Sequence, residues 1–152
     1  MARKPRKKTG AVRSKKAQID GITFASSLEA YCYNRLKAEG LDFEYEGGSF
    51  VVLPAFKYVG TYLKSTTGKK EMSDLSGKAV RAITYTPDFV SHKHKFIIET
   101  KGFVPSNHSF PLRWKLFLLY LNENNMGDYR VFLPKNQSQV DEAIETIITK
   151  LL

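Results

Sequence analysis

The chain has 152 residues, 42% of them apolar and 26% charged, a balance that suits one globular domain with a single core and excludes a disordered or fibrous chain. No apolar run approaches the roughly 18 residues of a membrane span, and the single cysteine, Cys32, excludes an intrachain disulfide, so a reducing cytoplasmic setting is expected. The formal charge of +9 is unevenly placed: residues 1–19 carry eight bases (Arg3, Lys4, Arg6, Lys7, Lys8, Arg13, Lys15 and Lys16) and no acid, while the rest of the chain is nearly neutral.

Such an arm can follow phosphates without a fixed fold, because each neutralised phosphate releases condensed counterions. The expectation is a disordered basic arm over 1–19, a folded domain over 20–152, and DNA as the partner. A solubilising tail or localisation signal is the alternative for the arm.

After the arm, "GITFASSLEAYCYNRLKAEG" reads as a strand-like entry, a helix from about Ser27 to Glu39 and a left-handed cap at Gly40. Ala25, Leu28, Cys32 and Leu36 make the apolar stripe, with Glu29 on its margin. Glu29 has two readings, because "SSLE" is also a capping box in which Ser26 caps the helix and Glu29 reaches back to its backbone.

Strands are expected at about Phe43–Leu53, Ala55–Leu63, Val80–Val90 and Lys95–Thr100. The polar segment "KSTTGKKEMSDLSGK" between the second and third is either a loop or a hairpin extension, and its Lys69, Lys70, Lys78 and Arg81 are candidates for lining a DNA path. Beyond the loop "VPSNHS", Pro111 suits the first turn of a helix burying Trp114, Phe117, Leu118 and Leu121. "YRVFLP" is a short strand, and a last helix carries Val140, Ile144, Ile147, Ile148 and Leu151 at core spacing. The order of elements predicts an α/β fold, a mixed central sheet covered by helices.

The chemistry concentrates in "TPDFVSHKHKFIIETKG". Alternation along a strand turns Glu99 and Lys101 to one side, and the hairpin brings Asp88 alongside. Two carboxylates at the rim of a core repel unless a cation or proton lies between them, and such hard oxygens suit Mg²⁺ or Mn²⁺. With a lysine two residues on, these are the parts that phosphodiester hydrolysis needs. Arg113 and Lys115 open the next helix, where basic side chains and free amides can hold a phosphate. His92 and His94 lack a third metal partner and read as a polar turn; His108 reads as a surface residue and Cys32 as a small core residue.

Pro87-Asp88, ten residues, then Glu99-Thr100-Lys101 resembles the PD-(D/E)XK signature of nucleases. "SSLEAYCYNRLKAEGLDFEYE", "YTPDF" and "ETKG" are similar in order and spacing to the phage endonuclease I group of junction-resolving enzymes, over about Ile22 to Phe103. A likeness extending through "FPLRWKLF" is to small phage-encoded proteins of the same superfamily. The resemblance implies a restriction-endonuclease-like core of order α-β-β-β-α-β-α and a metal-dependent endonuclease acting on branched or Holliday-junction DNA during phage replication, recombination or packaging. It further implies metal binding by Asp88, Glu99, Glu29 and the Thr100 carbonyl, a catalytic Lys101, a homodimer, and action in the host cytoplasm. The segment from about Gly60 to Arg81 is longer than in the resolving group, and the final strand and helix match no motif. A non-catalytic DNA-binding or replisome accessory protein that keeps the fold is the rival reading, and a basic ribonucleoprotein component a second.

Overall fold

The computed structural model describes residues 16–104 and 108–151. Seven of the eight bases expected in the arm, Arg3 to Lys15, lie outside the described residues, as does the middle of the loop before the second long helix. Lys16 is exposed. The sequence pattern extends the basic arm to residue 19, but Ala17–Ile19 forms strand β1, paired antiparallel with β2 (Ile22–Phe24). The tight turn between them is made by Asp20 and Gly21, both at positive φ.

Helix α1 (Ser27–Ala38) follows, and both of its expected ends are observed. The Ser26 side chain accepts from the Glu29 amide at 3.2 Å. At the other end Gly40 takes φ +63°, the Gly40 amide donates to the Lys37 carbonyl and the Leu41 amide to the Leu36 carbonyl. That pair of bonds is the Schellman closure, and the left-handed turn it needs favours glycine.

Strand β3 (Glu44–Tyr45) ends at Glu46, which itself adopts φ +47°. A long antiparallel arm then leaves the body of the protein. Its outgoing strands are β4 (Phe50–Leu53), β5 (Phe56–Lys57) and β6 (Leu63–Lys64). Its returning strands are β7 (Ser73–Asp74), β8 (Ala79–Val80) and β9 (Ile83–Tyr85). They pair β4 with β9, β5 with β8 and β6 with β7, so the polar segment is a hairpin extension. The expected Phe43–Leu53 strand is broken where Glu46 turns the chain at positive φ, and the Val80–Val90 strand where Pro87 donates no ladder hydrogen bond.

The central sheet is completed by β10 (Phe89–Ser91), β11 (Phe96–Ile98) and, after helix α2 (Phe110–Glu123), by β12 (Arg130–Phe132). Helix α3 (Gln137–Thr149) ends the described fold. The strand order is β12-β11-β10-β3, with β12 parallel to β11 and the other pairs antiparallel. The mixed α/β architecture is therefore as expected.

The sheet is covered on both faces, which explains the apolar run Phe96-Ile97-Ile98. Phe96 and Ile98 join Phe89, Cys32 and Leu36 of α1, and Val140, Ile144 and Ile147 of α3, in one cluster. Ile97 points the other way and joins Val90, Tyr85 and, from α2, Phe110, Phe117 and Leu121. Both clusters hold residues at or near zero exposure. Three expected core positions are corrected: Ala25, Leu118 and Leu151 are exposed, whereas Ala30, Ala143 and Phe110 are buried instead. Ala25 precedes the N-cap of α1 and Leu151 follows the end of α3, so neither lies on a helix stripe, while Leu118 is on the side of α2 turned away from the sheet. Among the described residues no helix is long and apolar enough to cross a membrane.

Candidate active site

Asp88 precedes β10 and Glu99 follows β11, and the pairing of Phe89 with Ile98 sets the two acids opposite each other at one end of the sheet. The Asp88 amide donates to Glu99 Oε2 at 3.2 Å. Asp88 Oδ2 accepts from both the Thr100 amide at 2.8 Å and the Thr100 hydroxyl at 2.7 Å. Thr100 therefore positions Asp88 through its amide and side chain.

Lys101 shares the Glu99 side of the strand, as alternation predicts. Its Nζ lies 3.3 Å from Glu99 Oε1 and 4.6 Å from the centre of the Phe110 ring, on the first turn of α2. The backbone beneath it is anchored by the chain's last strand region. The Glu99 amide donates to the Phe132 carbonyl at 3.0 Å and the Lys101 amide to the Pro134 carbonyl at 2.9 Å, continuing the parallel ladder past β11.

Glu29 enters the same cleft from α1, and its capping-box reading is observed. Its Oε1 accepts from the Ser26 hydroxyl at 2.8 Å, and its Oε2 from the Ala25 amide at 3.3 Å and the Tyr45 hydroxyl at 2.8 Å. The box thus closes on Ala25, one residue earlier than the pattern predicts. Glu29 is also a buried acid that raises the Asp88 pKa by its charge.

The cleft holds about 310 Å³ and is lined by Ala25, Glu29, Glu46, Tyr85, Thr86, Asp88, Glu99, Lys101, His108, Ser109, Phe110 and Arg113. Burial and the neighbouring Glu99 charge push Asp88 up to about 7, against the opposing Thr100 hydrogen bonds. Burial also raises Glu99, with Lys101 pulling the other way. Burial and mutual repulsion thus oppose having both acids ionised.

That is the condition a divalent cation relieves. The donors are hard carboxylate oxygens, and Mg²⁺ is commonly held by one or two carboxylates while keeping several waters. Among the described residues no group of three or more His, Cys, Asp or Glu side chains gathers to hold a metal ion. Asp88 and Glu99 are the fitting pair, and Glu29 is engaged by Ser26, Ala25 and Tyr45.

Of the other residues singled out in the sequence, Arg113 reaches the cleft, where a guanidinium nitrogen donates to the Thr84 carbonyl while Nε is buried without a partner. Lys115 is exposed on α2 and lines no part of the cleft. Lys69 and Lys70 sit at the tip of the arm in a separate depression. His92 bonds the Tyr129 hydroxyl at 2.7 Å on the turn, and the His94 amide bonds Ser91, consistent with a polar turn. His108 does line the cleft, accepting from the Phe110 amide at 3.1 Å.

Three participants carry no sequence signal. Tyr45 is set beside the site because it pairs with Phe89, and Glu46 because its amide donates to the Asp88 carbonyl at 2.8 Å. Tyr85 is buried, stacks on Phe117 with ring centres 4.7 Å apart, and places its hydroxyl beside Glu99 without a well-formed hydrogen bond. An unpaired buried hydroxyl carries its full desolvation cost, so Tyr85→Phe should leave stability unchanged or raise it by about 1 kcal/mol in a denaturant titration. A loss of more than about 2 kcal/mol would mean that the hydroxyl is bonded in the folded protein.

These features define an α/β protein with a buried carboxylate pair and a lysine at one end of a mixed sheet. A family model described as "Protein of unknown function (DUF1064)" matches residues 8–131, and the chain belongs to that family. No curated protein and no solved structure matches it.

Proposed function

We propose that this protein is a metal-dependent DNA endonuclease with a PD-(D/E)XK core, selective for branched DNA. The observation that carries the reading is the meeting of Asp88, Glu99 and Lys101 at the end of one antiparallel pair, in a cleft that also contains Glu29. Two acids buried side by side with a raised pKa are characteristic of functional sites rather than of surface ion pairs. The α1-β3-β10-β11-α2-β12-α3 order, once the arm is set aside, agrees with the core order implied by the nuclease resemblance.

Asp88 and Glu99 would hold Mg²⁺ or Mn²⁺, with the Thr100 carbonyl as a further ligand. Bound there, the cation would supply a more acidic water and neutralise charge developing on the phosphate. Thr100 keeps the Asp88 carboxylate oriented, and Lys101, held between Glu99 and the Phe110 face, can donate to the attacking water or to a phosphate oxygen. Arg113 and the start of α2 face the same cleft and would steady a neighbouring phosphate. The basic N-terminal residues would add affinity that does not depend on sequence. Action in the host cytoplasm during phage DNA processing, and assembly as a homodimer, belong to the same reading.

The test is incubation with Mg²⁺ or Mn²⁺ and a panel of linear, nicked, flapped and four-way DNAs. Cutting of branched forms in preference to linear duplex is expected. DNA binding without cutting under both metals would assign the protein to the non-catalytic accessory class instead.

Glu29→Gln separates the cap from the catalytic role, because glutamine with its oxygen in the Oε2 position still accepts from Ala25 and Tyr45 while its amide donates to the Ser26 oxygen, and it carries no charge. Its melting temperature should stay close to wild type while cleavage at limiting Mg²⁺ falls by about 10-fold or more, the order found for losing support of a metal site. Full activity with lowered stability would leave Glu29 as a cap alone.

A further inference from the structure

The β4–β9 arm is poorly suited to a purely structural role. Its outer half exposes large apolar side chains that a solvated hairpin has no reason to carry: Tyr58 is 51% exposed, Phe56 47% and Val59 fully. Phe56, Tyr58 and Tyr62, with Thr61 and Val80, line a shallow groove of about 440 Å³ across the arm.

A Cβ added to Gly60 would lie 2.9 Å from the Tyr58 ring, so the ring edge rests beside the Gly60 backbone while half of the residue stays exposed.

The charge around these rings is one-sided. Residues 50–85 contain six bases (Lys57, Lys64, Lys69, Lys70, Lys78 and Arg81) and two acids, Glu71 and Asp74. Asp74 is occupied in accepting from the Ser76 amide at 2.8 Å. Lys69, Lys70 and Lys78 line one depression at the tip, beyond the aromatic groove, and outnumber the Glu71 and Asp74 that share it.

We propose that this arm binds unpaired DNA, its aromatic rings stacking on exposed bases while the lysines nearer the tip hold the phosphates. Planar rings beside a cationic track suit single strands, whose bases offer π-faces that a duplex hides. A second copy of the chain is the poorer occupant, because pairing two such arms would bring like charges together. Binding at the arm is independent of chemistry in the cleft; the choice of DNA rather than RNA rests on the proposed nuclease reading. An arm of this kind would give a nuclease its preference for junctions, flaps and frayed ends.

The experiment is fluorescence anisotropy of the full chain with a labelled oligothymidylate and with a duplex of equal length, in EDTA so that no cutting intervenes. Tyr58→Ala and Tyr62→Ala should each weaken oligothymidylate binding by about tenfold, with little change for duplex, since losing one stacked base typically costs that much. Tyr58→Phe keeps the ring and should retain affinity, which guards against a merely misfolded arm. Replacing Lys69 and Lys70 together by Gln should flatten the salt dependence by about 0.7 for each phosphate left without its lysine. Alanine variants that weaken both DNAs equally, or neither, overturn the proposal. So does sedimentation showing a dimer that these variants dissociate while oligothymidylate affinity stays the same. Cleavage of DNA by a protein whose oligothymidylate binding does not depend on Tyr58 or Tyr62 would reject the arm alone; ring-dependent binding without cleavage by any metal would reject the nuclease reading alone.

Discussion

Asp88→Asn and Glu99→Gln should each lower Mg²⁺-dependent cleavage by more than about 100-fold, since removing even an outer partner of a metal ligand costs about 10–100-fold. Both replacements preserve shape and remove charge. Asparagine can still accept from the Thr100 amide and hydroxyl that hold Asp88 Oδ2, and glutamine can still accept from the Asp88 amide that meets Glu99 Oε2, so the local fold should survive. DNA affinity should be almost unchanged, because it comes from bases elsewhere and not from two acids. The readout is therefore a split: cleavage gone, anisotropy binding retained. Undiminished cutting by either variant would remove the carboxylate pair from the reaction.

The same pair should make the free protein less stable as pH rises. Burial and Glu99 push Asp88 up to about 7, whereas in the unfolded chain it titrates near the ordinary aspartate value, about 4. Between those values the folded state binds the extra proton, so raising pH favours unfolding across that window. At about 1.4 kcal/mol per pH unit, the loss reaches at most about 4 kcal/mol by neutrality. Mg²⁺ or Mn²⁺ binds only the ionised pair, so either should restore the melting temperature at pH 8 and have little effect at pH 5. Melting curves from pH 5 to 8, with and without the cation, make the measurement. Asp88→Asn should flatten the pH dependence and abolish the cation effect. A wild-type melting temperature that climbs over this range, with no response to either metal, would mean that burial beside Glu99 does not raise Asp88.

Local patterns proved legible wherever one short stretch determines the outcome. Ser26 and Gly40 mark the ends of α1 because a capping oxygen and a left-handed glycine act within a few residues. Asp88 and Glu99 were recoverable because antiparallel pairing converts a ten-residue spacing into adjacency, and period-two alternation puts Lys101 beside Glu99. Val140, Ile144 and Ile147 bury as their spacing predicts, since α3 packs on the sheet along one face.

Other features depend on partners distant in sequence. The seat of Lys101 is set by the Phe132 and Pro134 carbonyls, from a segment that carries no motif of its own. Tyr45 and Glu46 reach the site only through the pairing of β3 with β10, and Tyr85 only because the base of the arm packs on α2. Leu118 is exposed because periodicity gives the width of an apolar stripe but not the direction from which a neighbouring layer arrives, and Ala25 because the helix begins two residues later. Residue spacing along a strand or helix is a property of the local backbone, so the charged cluster and the caps could be read from the sequence alone. Burial, the raised carboxylate pair and the outward-facing arm arise from surfaces meeting across the chain, and only the tertiary structure decided them.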